Sequence, residues 1–214
     1  MDAVRAALEA GADWVQVRTK SGTDRERLAH IRTIADACDA TDATCVVNDR
    51  ADLARAGITD GVHVGLDDLP VPDVRRLLPR PFVVGATARN ADQARRAERE
   101  GADYLGVGPV WITTTKTGLP DPLGLEGLAA VVGAVGIPVL AIGGITPARV
   151  ADVLAAGAHG VAVVGAVFGE DDVAAATRRF VDALGPLDAS RWMPSPWSDH
   201  DDVDDGSRPG GLRP

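Results

Sequence analysis

Between Asp103 and Lys116 the chain reads DYLGVGPVWITTTK, a short apolar run and a Gly-Pro turn followed by three hydroxyls and an ammonium. Thr113, Thr114, Thr115 and Lys116 concentrate donors in an otherwise acidic protein, and the natural counterpart of such a cluster is an anion, above all a phosphate. The competing reading is a solvated Thr-rich loop with a surface lysine, and on this stretch alone the two stand level. Comparable groups recur elsewhere. Gln16, Arg18 and Lys20 alternate, so an extended backbone directs all three to one side. Asn48, Asp49 and Arg50 follow one apolar run, Asp67 and Asp68 another, and Thr87 a third. Asp49 and Asp68 beside Arg18 and Lys20 read as a Mg2+-diphosphate pocket. Magnesium takes one or two carboxylates and completes its shell with phosphate oxygens, while lysine and arginine neutralise the remaining charge. Gly143-Gly144 in LAIGGIT and Val164-Gly165 offer a second subsite, because glycines let backbone N–H groups approach a phosphate closely.

What must position these groups is a set of short strands, since each group follows one. The pattern LEAGADWVQV returns as RAGITDGVHV, REGADYLGV and LAAGAHGVAVV. In each copy a helical stretch ends at a glycine (Gly11, Gly57, Gly101, Gly157), whose left-handed conformation can close a helix, and a buried strand follows. Helices are expected over 2–10, 24–39, 50–56, 72–78, 90–100, 125–134, 147–156 and 170–184. Strands are expected at Trp14–Val17, Thr44–Val47, Gly61–Val64, Phe82–Gly85, Tyr104–Val107, Val139–Ile142 and Val161–Val164. This alternation predicts an α/β fold, a TIM (β/α)8-type barrel lacking its first strand in this chain. The expectation that follows is a start upstream of Met1. An open doubly wound sheet is the alternative, without the glycine fingerprint a dinucleotide site would need. In a barrel, chemistry sits past the C-terminal ends of the strands, where all the polar groups above fall. The barrel is expected to span 1–185. The remainder, 186–214, carries Pro194, Pro196, Pro209 and Pro214 with an acidic run from Asp199 to Asp205 and is expected to be a disordered tail.

Bulk properties exclude several classes. A net charge of −9 over 214 residues argues against nucleic-acid binding, which needs a basic surface. There is no apolar run long enough to span a membrane and no signal-peptide pattern. Cys38 and Cys45 form no disulfide framework or CxxC pair and fit a reduced, cytoplasmic setting. His63 and His159 lack metal-ligand spacing and read as structural.

Taken in order, QVRTK at 16–20, VNDRADLA at 47–54, DGVHVGLDDLP at 60–70, GADYLGVGPVWITTTK at 101–116, AIGGI at 141–145 and GVAVVGAV at 160–167 resemble the thiamine-phosphate synthases. The resemblance implies a transferase that joins hydroxymethylpyrimidine diphosphate to a thiazole phosphate and releases diphosphate. It implies that Gln16, Arg18, Lys20 and Asn48 hold the pyrimidine diphosphate and that Asp49 and Asp68 bind Mg2+. Thr87 would sit where a pyrimidine-contacting serine is usual. Thr113, Thr115, Gly144, Val164 and Gly165 would meet the thiazole phosphate, and Lys116 the diphosphate. Arg18, Lys20 and Lys116 become the catalytic cations, and partners are limited to the two small substrates, with homo-oligomerisation left open. Thr19, Leu66, Ile112 and Gly165 depart from the family's usual acid, glutamine, proline and serine. A thiazole tautomerase-like relative and a non-catalytic phosphate-binding barrel are the alternatives. The first should lack the diphosphate constellation.

Overall fold

The computed structural model describes residues 1–115 and 118–186. Along the first half, helix α1 (Asp2–Glu9) leads to strand β1 (Trp14–Val17), α2 (Asp24–Asp39) to β2 (Thr44–Asn48), α3 (Ala51–Gly57) to β3 (Gly61–Val64) and α4 (Val71–Leu77) to β4 (Val83–Ala88). In the second half α5 (Ala91–Arg99) leads to β5 (Tyr104–Val107), α6 (Gly124–Val132) to β6 (Val139–Ile142), and α7 (Val150–Ala155) to β7 (Gly160–Ala162). Two helices, α8 (Gly165–Phe168) and α9 (Val173–Leu184), close the described chain. Local chemistry accounts for these pieces. Helix α2 begins at a capping box, in which Thr23 Oγ1 accepts the Glu26 N–H at 3.3 Å and Glu26 accepts the Thr23 N–H at 2.7 Å. Its buried residues, Ile31, Ile34, Ala35 and Cys38, repeat at helical spacing and pack on the sheet.

All seven strands are parallel and hydrogen-bonded in sequence order, and among the described residues β1 and β7 are paired on one side only. The result is a curled (β/α) barrel of the TIM type with seven strands among the described residues, one fewer than eight. Parallel strands need cover on both faces. Outward residues such as Val62, Val64, Leu105 and Val107 are buried under the helices. The inward layer is small and mixed: Val83, Tyr104 and Leu140 pack with Trp14, whose ring meets the Tyr104 ring edge-on at 5.1 Å.

The recurring sequence pattern has a structural cause at the N-terminal face. Asp60, Asp103 and His159 each stand one residue before an odd-numbered strand. Each side chain accepts an N–H from the preceding strand: Cys45 to Asp60 at 2.7 Å, Val84 to Asp103 at 2.7 Å and Val139 to His159 at 3.1 Å. Their own N–H groups bond back to the carbonyls of those same residues at 2.8 to 2.9 Å. The paired hydrogen bonds set the register of adjacent strands before any active-site residue is reached. Asp103 is further held by Arg75 and by Arg80 at 2.9 Å. His159 is thereby structural, as its lack of ligand spacing suggested.

Several boundaries differ from expectation. Strand β4 runs to Ala88, so Thr87 lies within it. At the other end of the sheet, β7 stops at Ala162, because Val164 turns to φ −127° and ψ −71° to open α8. The expected final helix is two pieces: Gly169 ends α8, and Asp172 starts α9 by accepting the Ala175 N–H at 2.8 Å. Helix 147–156 likewise begins as a single 3-10 turn at Pro147–Arg149. Gly11, Gly101 and Gly157 take positive φ as expected, but at the second copy Ile58 does so (φ +58°). Gly57 is required there for packing instead, since a Cβ would lie 2.8 Å from Ile31 of α2. The segment expected as a disordered tail lies, from residue 187 onward, outside the described residues.

Candidate active site

The ends of β1 to β3 assemble a charged pocket. Residue Asn48 closes β2, and the turn beyond it places Asp49 at φ +66°, an uncommon conformation that aspartate tolerates better than most residues. The Asp49 N–H bonds to the His63 carbonyl at 2.8 Å, pinning the turn to the neighbouring strand. Asp68 curls back past β3 so that Oδ2 accepts the Gly65 N–H at 2.7 Å. The two carboxyls are close enough for Asp68 to disfavour ionisation of Asp49. Burial first, and then Asp68, push the Asp49 carboxyl above its ordinary pKa, while Lys20 and Arg18 pull it back. Two crowded carboxylates that their neighbouring cations do not fully relieve suit a divalent cation. This donor set fits magnesium completed by substrate oxygens, although among the described residues no group of three or more His, Cys, Asp or Glu side chains converges. Arg50 is not free to join this pocket. It holds Asp24 at 3.0 Å through two bonds and Asp52 at 2.6 and 2.8 Å, tying α2 to α3.

The ends of β5 to β7 assemble a second, largely neutral pocket. Gly143 and Gly144 have φ of +92° and +67°. A Cβ on Gly143 would lie 2.6 Å from Pro109 and 3.6 Å from the Thr113 methyl. One on Gly165 would lie 3.0 Å from Thr115 Oγ1. Thr113 and Thr115 therefore sit against the two glycine segments, and their hydroxyls are 3.3 Å apart. Val164 is 57% exposed at the edge of this pocket. Lys116 lies outside the described residues.

Between the pockets, inside the barrel, runs a polar chain that the sequence did not announce. Burial raises the Tyr104 hydroxyl's pKa above its ordinary value, and the Gln16 side chain nearby draws it back. The Tyr104 hydroxyl lies 3.0 Å from His63 Nδ1, and His63 Nε2 lies 3.0 Å from Thr87 Oγ1. Tyr104 and His63 stand on β5 and β3, two strands apart. They meet because Gly85 is their register partner on the intervening β4 and presents no side chain. Alternation in GVHV held the only clue: with Val62 and Val64 under the helices, His63 must face inward.

Burial pushes the His63 imidazole down to about 4 from an ordinary 6.5, despite the opposing charge of Asp68. The unfolded chain binds this proton near 6.5 and the folded one only near 4, so the stabilising term is whole above pH 6.5. It falls away between the two values, by up to about 3 kcal/mol. A His63→Leu variant, though less stable at neutral pH, is expected to show a shallower loss over that window. Urea midpoints at pH 7.5, 6 and 4.5 measure it, and parallel curves for the two proteins would contradict the placement of His63.

A parallel barrel whose rim carries paired carboxylates, flanking cations and a threonine-and-glycine cradle is a phosphate-handling (β/α) barrel enzyme. A family model described as thiamine monophosphate synthase matches residues 1–167. The chain belongs to this family and is a transferase of thiamine biosynthesis. It is similar to the thiamine-phosphate synthase of Salinispora arenicola, with 53% identity over 85% of this chain and 88% of that protein. Its identity to that of Moorella thermoacetica is 48% over 84% and 85%. A solved thiamine phosphate pyrophosphorylase from Pyrococcus furiosus superimposes with a TM-score of 0.80 at 38% identity, covering 86% of this chain and 88% of that one. A 3-hexulose-6-phosphate synthase, at 22% identity and a TM-score of 0.65 over 85% and 95%, shares the fold alone.

Proposed function

We propose that the chain condenses hydroxymethylpyrimidine diphosphate with a thiazole phosphate, forming thiamine phosphate and diphosphate, with Mg2+ as its cofactor. The observation that most supports this assignment is the spatial division of the rim. A carboxylate pair with two cations occupies the ends of β1 to β3, and the threonine–glycine cradle occupies the ends of β5 to β7. A tautomerase-like reading leaves the first pocket without a purpose.

In this assignment Asp49 and Asp68 hold the metal, which when bound would neutralise charge on the leaving diphosphate. Arg18, Lys20 and Lys116 pair with the remaining diphosphate oxygens, and Asn48 donates to the same group. Gln16 and Thr87 orient the pyrimidine. Thr113, Thr115 and the backbone of Gly144, Val164 and Gly165 hold the thiazole phosphate. The C–O bond between the pyrimidine methylene and diphosphate breaks with its electron pair leaving on oxygen, and the thiazole nitrogen lone pair then forms the new C–N bond. The step needs no protein nucleophile or general base. Charge stabilisation and positioning suffice, which agrees with a site built of cations, amides and hydroxyls. The barrel, 1–185, acts as one unit. Its two cysteines, free and buried, support a cytoplasmic setting.

Incubated with both substrates and Mg2+, the protein is expected to form thiamine phosphate and diphosphate in equal amounts. Chelation should abolish the reaction and added Mg2+ restore it. Chromatographic detection of product tests both statements. A folded protein that makes no thiamine phosphate would overturn the assignment, and unimpaired turnover in excess chelator would overturn the metal.

A further inference from the structure

Two of the three loops that form the thiazole-phosphate cradle, one following β5 and the other following β6, meet directly as two halves. The second half is built on consecutive glycines at positive φ, the backbone type with the widest conformational freedom. Something outside the glycines must hold them still. Backbone bonds supply part of the restraint. Val110 N–H reaches the Ile142 carbonyl at 2.9 Å, and Trp111 N–H reaches that of Gly143 at 3.1 Å. Arg149, in the 3-10 turn that precedes α7, supplies the rest. Its Nη1 donates to the Gly144 carbonyl at 2.5 Å, and its guanidinium carbon lies 4.7 Å from the centroid of the Trp111 ring. One side chain thus grips the glycine loop by its backbone and the threonine loop by its aromatic face.

We infer that Arg149 is a positioning residue for the phosphate cradle, clamping the Gly143–Gly144 loop to the Trp111–Thr115 loop. The inference rests on the assignment of the thiazole phosphate to that cradle. Arg149 acts through the two loops it touches, with one N–H on the Gly144 carbonyl and its face over the Trp111 ring. The role suits arginine in particular. A planar guanidinium can lie flat on an indole while donating in its own plane, which a lysine ammonium cannot do.

The test is steady-state kinetics on the full chain with Arg149→Gln, Arg149→Lys and Trp111→Leu, each first shown to unfold cooperatively in urea. Arg149→Gln is expected to raise KM for the thiazole phosphate roughly tenfold, while KM for the pyrimidine diphosphate stays within about twofold. A general structural role would move both. Trp111→Leu should act in the same direction, and adding Arg149→Gln to it should cost less than the two separate effects combined. Unchanged thiazole-phosphate KM, equal rises for both substrates, or an Arg149→Lys variant matching the native enzyme would overturn the clamp. Failure of the assignment beneath it is distinguishable, because the unsubstituted protein would then form no thiamine phosphate at all.

Discussion

Asp49→Asn is expected to lower kcat/KM by roughly 100- to 1,000-fold, about 3–4 kcal/mol of lost transition-state stabilisation, while leaving the fold intact or slightly firmer. The two effects part because the charged carboxylate is itself costly to the fold. It is partly buried, its pKa is raised by desolvation and by Asp68, and its backbone sits at φ +66°. Asparagine tolerates that conformation as readily and brings no charge to repel Asp68. It offers a metal only a neutral amide oxygen. Turnover measured across a Mg2+ titration, alongside urea midpoints, separates the effects. Full activity at ordinary Mg2+ would remove the metal from the Asp49–Asp68 pair.

Gly85→Ala carries the second large effect, on stability as well as activity. The Cβ would fall within the van der Waals envelope of the Tyr104 ring and hydroxyl. Tyr104 is buried between strands and cannot swing outward, because the outward positions of β5 are occupied by Leu105 and Val107 under the helices. Overpacking of this kind costs about 1–3 kcal/mol, and displacing the hydroxyl from His63 leaves buried polar groups unpaired at a further cost of about 1–3 kcal/mol. The variant should therefore lose about 2–6 kcal/mol. The Tyr104–His63–Thr87 chain would be broken with it, so pyrimidine-diphosphate KM should rise. Adding Tyr104→Leu should recover part of the stability, since the offending atoms are gone, making the pair non-additive. A Gly85→Ala protein with native stability and KM would mean that the barrel interior is packed differently.

Short βα periods, helix-ending glycines and polar residues after each strand were legible along the chain, because they depend on neighbours a few residues apart. The N-terminal-face residues Asp60, Asp103 and His159 illustrate the limit. The recurrence of GAD, ITD and GAH was visible, whereas its reason was not. Asp60, Asp103 and His159 bond strands 15 to 20 residues away. Local chemistry also misled at boundaries. Thr87 seemed to follow a strand that in fact contains it, since pairing with β5 extends β4. Gly57 seemed to be a helix terminator when its role is to admit Ile31.

For the site, residue types were enough to nominate Arg18, Lys20, Asp49, Asp68, Thr113, Thr115, Gly144 and Gly165, since charge and hydroxyl density announce phosphate chemistry without any coordinates. Tertiary structure alone decided which of the rim's charges are available. It committed Arg50 to Asp24 and Asp52 and left Arg18 and Lys20 beside Asp49. It also turned His63 and Tyr104 toward each other across Gly85 and laid Arg149 over Trp111. A sequence displays what each residue can offer. The curl of the sheet determines which offers meet, because side chains on different strands come together only when the sheet bends and its glycines leave room.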